Sequence, residues 1–336
     1  MITSQANLAF FFSGLNTGFR AVYDSTPIEH EKFSTVVPSD QEQQVYAMTT
    51  RIDKMRVWNG PRVVDEPNPF TKTLVNLPFE KTIGIDRFRL DDANGIKGAQ
   101  SIYWPMMTDL ALQTRRWPDL QMRDWIRGIG EYTSAASQLG LDGVAHWSAS
   151  HPTDMFYSSK PTYCNTFGTA GVTINGQLIG GTISPNAVWS IVQYMRSIPS
   201  EDGEPLGVRA THLLHPAGLL QDVTLILKAG FYSPPTWGGQ TGQVGQLDNA
   251  TLAREYGIQS ICWDLLDADP ATFYVLDCGK AFKPFVWQLR QAPITVTKIA
   301  ETDDNVFSSH KLLWGAWARG APMGNYPFLS FRSGNS

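Results

Sequence analysis

Apolar positions recur at helical spacing from Gly95 to Tyr132, the longest such signal in the chain. Met107, Leu110, Ala111 and Thr114 form one run, and Met122, Trp125, Ile126 and Ile129 form another. Pro105 and Pro118 punctuate them, and the ring of Pro118 would press on the carbonyl of Thr114. The pattern predicts two helical segments laid nearly end to end and bent at Trp117–Pro118, with Asp119 in the first turn of the second. Together they would span about 35–40 Å at roughly 1.5 Å per residue.

Other helical signals are shorter. Residues 5–23 read as a short docking helix. Ser184 supplies a cap, Pro185 the first helical position, and Val188, Ile191, Val192, Met195 and Ile198 a core stripe ended by Pro199. An apolar strand at 210–214, a helix from Pro216 to about Ala229, and strands at 259–263 and 272–276 suggest a small α/β layer. Within that layer, residues 233–246 are rich in Gly, Gln and Pro and predict a flexible surface loop. From Pro284 onward the pattern turns strand-like, at 285–289, 294–299, 311–318 and 327–331. These strands are expected to pack against the long helical element.

Charge is uneven along the chain. Residues 51–92 hold 15 charged side chains, about twice the density of the whole, where charged residues are 17%. Arg51-Ile52-Asp53 and Lys81-Thr82-Ile83-Gly84-Ile85 alternate as in a half-exposed antiparallel ribbon, and the middle is dense in turn residues from Asn59 to Pro69. A two-stranded excursion with a mobile tip is predicted. Such a ribbon is marginal alone and needs a surface to lie on. Residues 132–190, by contrast, carry only Asp142, Asp154 and Lys160. A long uncharged connection is either covered by its own domain or buried against a neighbouring copy.

Composition narrows the function classes. At 336 residues the chain can bury a sizeable core, and 12% aromatic content gives it much ring area to bury. No apolar run approaches a membrane span, and the Ala9–Phe12 patch lacks the marks of a signal peptide. Three scattered cysteines fit a reducing compartment. A net charge of −4 without a basic block argues against tight phosphate binding.

Candidate chemistry is thin. His212 and His215, with Asp222, are the nearest thing to a metal pair, but residues three apart on a strand point to opposite faces. His146, His151 and Cys164 could in principle supply a Cys–His nucleophile, without any local signature. Gly238-Gly239 and Gly242 lack the Gly-Lys-Ser/Thr ending of a phosphate loop. The pairs Asp91-Asp92 and Asp303-Asp304 read as caps or solvated turns, and the tryptophans as core or interface. No catalytic residue, cofactor or metal is expected.

The C-terminal section carries a resemblance. Asp277, Lys283-Pro284-Phe285-Val286-Trp287-Gln288, Arg290-Gln291-Ala292-Pro293, Thr302-Asp303-Asp304-Asn305-Val306-Phe307 and Trp314-Gly315-Ala316-Trp317-Ala318-Arg319-Gly320 resemble the Mu-like prophage major head subunit (gpT) family. Further points are Asp202-Gly203-Glu204-Pro205-Leu206-Gly207-Val208, Thr82-Ile83-Gly84-Ile85 with Asp91-Asp92 and Gly95-Ile96, and the spacing of Pro105 and Pro118. These points span nearly the whole chain. Residues 150–180 depart from the family pattern, where the link after the long helix is shorter, and read as a local elaboration.

The resemblance implies an α+β chain with the HK97-like major capsid protein fold. Residues 1–41 would be the N-terminal arm and 42–94 the extended loop reaching over a neighbouring subunit. Residues 95–182 would be the peripheral domain with its spine helix and charge-poor loop, 183–280 the axial domain, and 281–336 the C-terminal strands of the peripheral domain. The implied function is self-assembly into hexamers and pentamers of an icosahedral bacteriophage shell enclosing double-stranded DNA, in a virion capsid assembled in the host cytoplasm. Implied partners are further copies of itself, a separate scaffolding protein, a portal, a decoration protein and weakly held DNA. No membrane is involved. A scaffold separate from this chain also fits the lack of a long charged helix before residue 40. Candidate inter-subunit contacts are Arg56 and Arg62, which would choose register, and Trp58, Phe70 and Phe79, which would act as apolar anchors. Reversing both arginine charges should block shell formation and leave the subunit folded. The competing readings are a soluble Cys- or metal-dependent hydrolase, or a different phage part such as a tail or decoration protein.

Overall fold

The computed structural model describes residues 4–49, 57–62, 69–93, 96–153, 161–200, 203–228, 231–232, 247–248 and 256–335. In chain order, helix α1 (Gln5–Ser25) leads to strand β1 (Ser34–Pro38), the pair β2 (Gln43–Thr49) and β3 (Pro69–Val75), and β4 (Leu77–Asp86). A one-turn helix α2 (Arg87–Asp91) precedes the long α3 (Ile96–Arg127). Short strands β5 (His151–Pro152), β6 (Thr162–Tyr163), β7 (Thr166–Gly168), β8 (Val172–Ile174) and β9 (Gln177–Ile179) follow. Next come α4 (Pro185–Ser197), β10 (His212–His215), α5 (Leu220–Lys228), β11 (Phe231–Tyr232), β12 (Leu247–Asp248), β13 (Gln259–Cys262) and β14 (Phe273–Leu276). Two strands of 14 residues, β15 (Phe285–Lys298) and β16 (Lys311–Gly324), then β17 (Ser330–Asn335), complete the order.

Helix α3 is continuous for 32 residues, with both prolines inside it. The break expected at Trp117–Pro118 is absent because that turn is held from outside: Trp117, Pro118 and Asp119 are all buried. Burial of a stripe outweighs the loss of one backbone donor. Asp119 does more than favour a helix start. Its carboxylate accepts the backbone N–H of His30 at 2.8 Å and of Glu29 at 3.4 Å, and meets His30 Nδ1 at 2.8 Å. Thus a turn 90 residues upstream is tied to the middle of α3.

Helix α1 is capped by Ser4, whose hydroxyl accepts from Asn7 N–H. Its stripe Leu8, Phe11, Phe12, Leu15 and Phe19 is buried with Tyr103, Met107, Leu110 and Ala111 of α3. Gly18 permits the approach, since a Cβ there would lie 2.7 Å from Met107 Cε and Trp104 Cη2. Each large side chain so buried contributes about 1.5–3 kcal/mol.

One sheet has the order β1-β15-β16-β4, with β1 parallel to β15 and the rest antiparallel. The alternation at 81–85 is therefore real, and its partner among the described residues is β16. Residues 50–56 lie outside the described residues. The ribbon itself is β2 paired with β3, from Gln43↔Val75 to Thr49↔Pro69. Expected strands 285–289 and 294–299 are one strand, irregular between Leu289 and Ile294.

A second sheet has the order β13-β10-β14-β17-β7. Residues 327–331 were expected beside the long helix. Instead Pro327–Leu329 makes a turn of 3-10 helix, and β17 crosses to pair with β14 and β7. Phe331 is thereby buried with Val188, Ile191, Leu213, Phe273 and Val275. A third cluster joins the sheets, with Phe33, Trp125, Trp263, Tyr274, Trp287 and Phe285 sharing one core.

Within the charge-poor stretch, Tyr132, His146, His151, Tyr163, Cys164 and Phe167 are all buried by their own chain. Of the two readings offered by the sequence, cover by its own domain describes these residues. Positions 154–160 and the Gly-rich loop 233–246 lie outside the described residues.

Candidate functional site

The ribbon rests on the body at its root. Along β2 and β3, Gln44, Tyr46, Lys72 and Leu74 turn inward while Gln43, Val45, Thr73 and Val75 face out, the period-two alternation of a strand. Tyr46 and Leu74 pack against Leu141, Val286 and Met323. The Tyr46 hydroxyl donates to Gln288 Oε1 at 2.8 Å. Asn76, the single residue between β3 and β4, donates to Ser39 Oγ and to the carbonyls of Gln41 and Glu42, and accepts from Gln288 Nε2 at 2.8 Å. Lys72 Nζ donates to the carbonyl of Leu139. Burial pushes the Lys72 ammonium down from 10.5 to about 8, against the pull of Asp142 in the other direction.

The tip is bare. Val57 is 90% and Trp58 74% exposed. The Arg62 guanidinium lies 5.3 Å from the Trp58 ring, and Trp58 Nε1 donates to Gly60 O at 2.8 Å. Gly60 sits at φ +92°, which suits a glycine in a tight turn. The structure thus brings Trp58 and Arg62 together at one point. It places Phe79 elsewhere, in β4, with its ring 5.1 Å from Trp117 of the same chain. Phe70 belongs to β3. Arg56 lies outside the described residues.

Beside Phe79 runs an open groove of about 650 Å³ between α3, β4 and β16. Met106, Asp109, Gln113, Trp117 and Leu120 line it from the helix, and Ile83 and Trp317 from the sheet. Nothing in the sequence marks it, because it needs residues brought together from three separate segments.

The candidate chemical groups are engaged in structure. His215 is buried, with Nδ1–H donating to Pro216 O at 2.8 Å and Nε2 facing Ser260 Oγ at 2.8 Å. Asp222 is exposed on α5. Among the described residues no three His, Cys, Asp or Glu side chains form a metal cluster. Cys164 Sγ donates to Thr166 O at 3.1 Å, and burial pushes its thiol up, away from the reactive thiolate. His151 Nδ1 lies 2.6 Å from Asp142 Oδ2, and its ring stacks on Tyr163. His146 Nε2 meets Ser330 Oγ at 2.9 Å, and burial holds this imidazole well below its usual range.

The family model for the Mu-like prophage major head subunit gpT matches residues 8–174 and 255–333. The chain belongs to the Mu-like prophage major head subunit gpT family. The head subunit is 19% identical over 321 residues to the major capsid protein of Escherichia phage Mu, covering 96% of this chain and 71% of that protein. Among solved structures, it resembles a chain of the procapsid of bacteriophage JBD30. The TM-score is 0.52 and the identity 16%, over 99% of this chain and 76% of that one. A chain of the capsid of the empty GTA particle gives a TM-score of 0.52 at 12% identity, over 91% and 90%. The fold is the HK97-like α+β fold of phage capsid proteins, and the subunit is a major capsid protein of a tailed phage. Residues 150–174, read from sequence as an elaboration, lie inside the family match. The internal stretch left unmatched is 175–254, which holds β9, α4, β10, α5, β11 and β12.

Proposed function

We propose that the head subunit assembles as hexamers and pentamers of an icosahedral shell around double-stranded DNA, and that its β2–β3 ribbon makes the contact between copies. The observation that carries this is the contrast within the ribbon: a root pinned by Tyr46, Lys72 and Asn76, and a tip whose Val57 and Trp58 have no cover. An exposed tryptophan beside an arginine is the pairing that anchors protein interfaces. In this reading residues 1–41 are the N-terminal arm, 42–94 the extended loop, 95–182 and 281–336 the peripheral domain, and 183–280 the axial domain. Because β17 and β7 complete the second sheet, that sheet draws on residues beyond 183–280. Trp58 and Arg62 are the contact residues with the clearest support. Arg56, Phe70 and Phe79 belong to the same proposed set, Phe79 through the groove it lines.

The net charge of −4 suits weak, non-specific contact with packaged DNA. A separate scaffolding protein, a portal and a decoration protein are the remaining partners, and assembly takes place in the host cytoplasm. Expression of the full chain with the other head proteins of its phage, followed by negative-stain microscopy, tests the reading. Closed shells with fivefold and sixfold capsomers are expected. A discrete small oligomer that never forms capsomers would overturn it.

A further inference from the structure

Strand β15 has neighbours on both sides for only part of its length. β1 lies beside it from Ser34↔Phe285 to Pro38↔Leu289, and Ser39 N–H still donates to Leu289 O at 3.0 Å. From Gln291 onward β15 keeps β16 on one side, and among the described residues no strand lies on the other. A row of backbone donors and acceptors is left open there. Proteins blunt such edges with proline, bulges or lysine. Here Pro293 and the irregular pairing stand before the open stretch and Lys298 at its end, while residues 294–297 carry no such guard.

The two faces of this stretch differ. Thr295 and Thr297 sit opposite Ala316 and Trp314, on the face turned to α1. Ile294 and Val296 sit opposite Trp317 and Gly315 on the outer face, and remain 42% and 49% exposed. On the α1 side, Thr297 and Ile299 border an open groove of about 410 Å³ whose other wall is that helix. Ala9, Ser13 and Thr17 on that wall are small and exposed, which leaves room for the side chains of an added strand.

We propose that residues 294–298 pair antiparallel with the same residues of a second copy, about a two-fold axis at Val296, and so join two four-stranded sheets into one. The proposal rests on the reading that this chain assembles as a shell, and adds a contact to that of the ribbon. The pattern Ile-Thr-Val-Thr-Lys is itself the argument for self-pairing. Antiparallel register about its centre sets Val296 against Val296 of the partner subunit, and Thr295 against Thr297 of the partner subunit, both favourable cross-strand pairs. It also keeps the two lysines at position 298 about 13 Å apart along the strands, whereas parallel register would set them side by side. A contact of this isologous kind needs no complementary patch elsewhere on the subunit.

Val296→Cys tests it, in full chains co-expressed with the other head proteins and oxidised after assembly. A cysteine on the two-fold axis faces its own copy at disulfide distance, so a dimer band on a non-reducing gel is expected. Peptide mapping should show a 296–296 link and separates it from any made by Cys164, Cys262 or Cys278. Particles of this variant that form without that link overturn the pairing and leave the assembly reading intact. Failure of the wild-type chain to form capsomers overturns the assembly reading, and the pairing with it. Should the cysteine block assembly, charge exchange decides. Val296→Glu and Val296→Lys should each lower particle yield at least about tenfold, because like charges then face each other. Co-expression of the two variants should recover much of it, as a direct contact between the two positions requires. Absence of recovery overturns the proposal.

Discussion

Replacing Lys72 by methionine isolates the cost of holding a charge at the root of the ribbon. Burial lowers this ammonium from 10.5 to about 8, with Asp142 opposing the shift. At about 1.4 kcal/mol per pKa unit, the charged form is disfavoured there by about 3 kcal/mol. Methionine keeps an unbranched stem and sheds the charge, but the Leu139 carbonyl loses its donor, at about 1 kcal/mol. A net gain of about 1–3 kcal/mol is expected for the variant near pH 7.

The pH dependence gives the sharper test. Because the folded pKa lies below the unfolded one, the unfolded chain holds the extra proton between about pH 8 and pH 10.5. The penalty is complete below that window and relieved as pH rises through it, so Lys72 makes the wild type gain stability there. Buried thiols also make stability depend on pH, since Cys278 is pushed up to about 12 in the fold and ionises earlier in the unfolded chain, but this is common to both proteins. Urea unfolding of the isolated subunit and its variant, from about pH 7 to about pH 9.5, should show the advantage of the variant shrinking by about 2 kcal/mol. A variant less stable at pH 7, or a difference that does not move with pH, refutes the reasoning.

Two further outcomes follow from buried contacts. Asp119→Ala removes the acceptor of three contacts from Glu29 and His30, and should cost about 2–4 kcal/mol in denaturant unfolding, with proteolysis near residue 30 as a local readout. Gly324→Ala would set a Cβ 2.2 Å from His146 Nδ1 and 2.5 Å from Trp125 Cη2, so thermal unfolding should reveal a loss of about 1–3 kcal/mol from overpacking.

What could be read from sequence was what depends on near neighbours. The α4 helix is the clearest case: Ser184 accepts from Ala187 N–H at 3.1 Å, Pro185 is the first helical residue, and the expected stripe is buried. Periodicity also gave the approximate bounds of α3, although its 32 residues reach about 48 Å and not the 35–40 Å expected, and the proline rule failed at Pro118, since it describes a lone helix and not one gripped by Asp119 and Trp117. The alternation at 81–85 told which residues share a face and nothing about the partner strand, which lies more than 200 residues on in β16. For the same reason the crossing of β17 to the second sheet was invisible. At the candidate site, Trp58 and Arg62 stood out through the turn residues around them. The root could not, because Tyr46, Lys72 and Asn76 acquire their roles from Gln288 and Leu139.

The placement of Gln288 explains how a marginal element can be held in place for the contact role proposed for it. A lone two-stranded ribbon has little stability and no fixed direction. Here the amide of Gln288, fully buried in β15, bonds both Tyr46 on β2 and Asn76 at the end of β3. β15 is also the strand whose Phe285 and Trp287 join the core shared by the two sheets. The direction of the ribbon is thus set by the buried first residues of β15, Phe285 to Gln288, and not by the strength of its own pairing. Its outer face and tip are then free of any folding duty, which is why they can carry the exposed Val45 and Val75 and an uncovered tryptophan. Breaking the Gln288 contacts should therefore disorder assembly more than any single change along the outer face of β2 or β3.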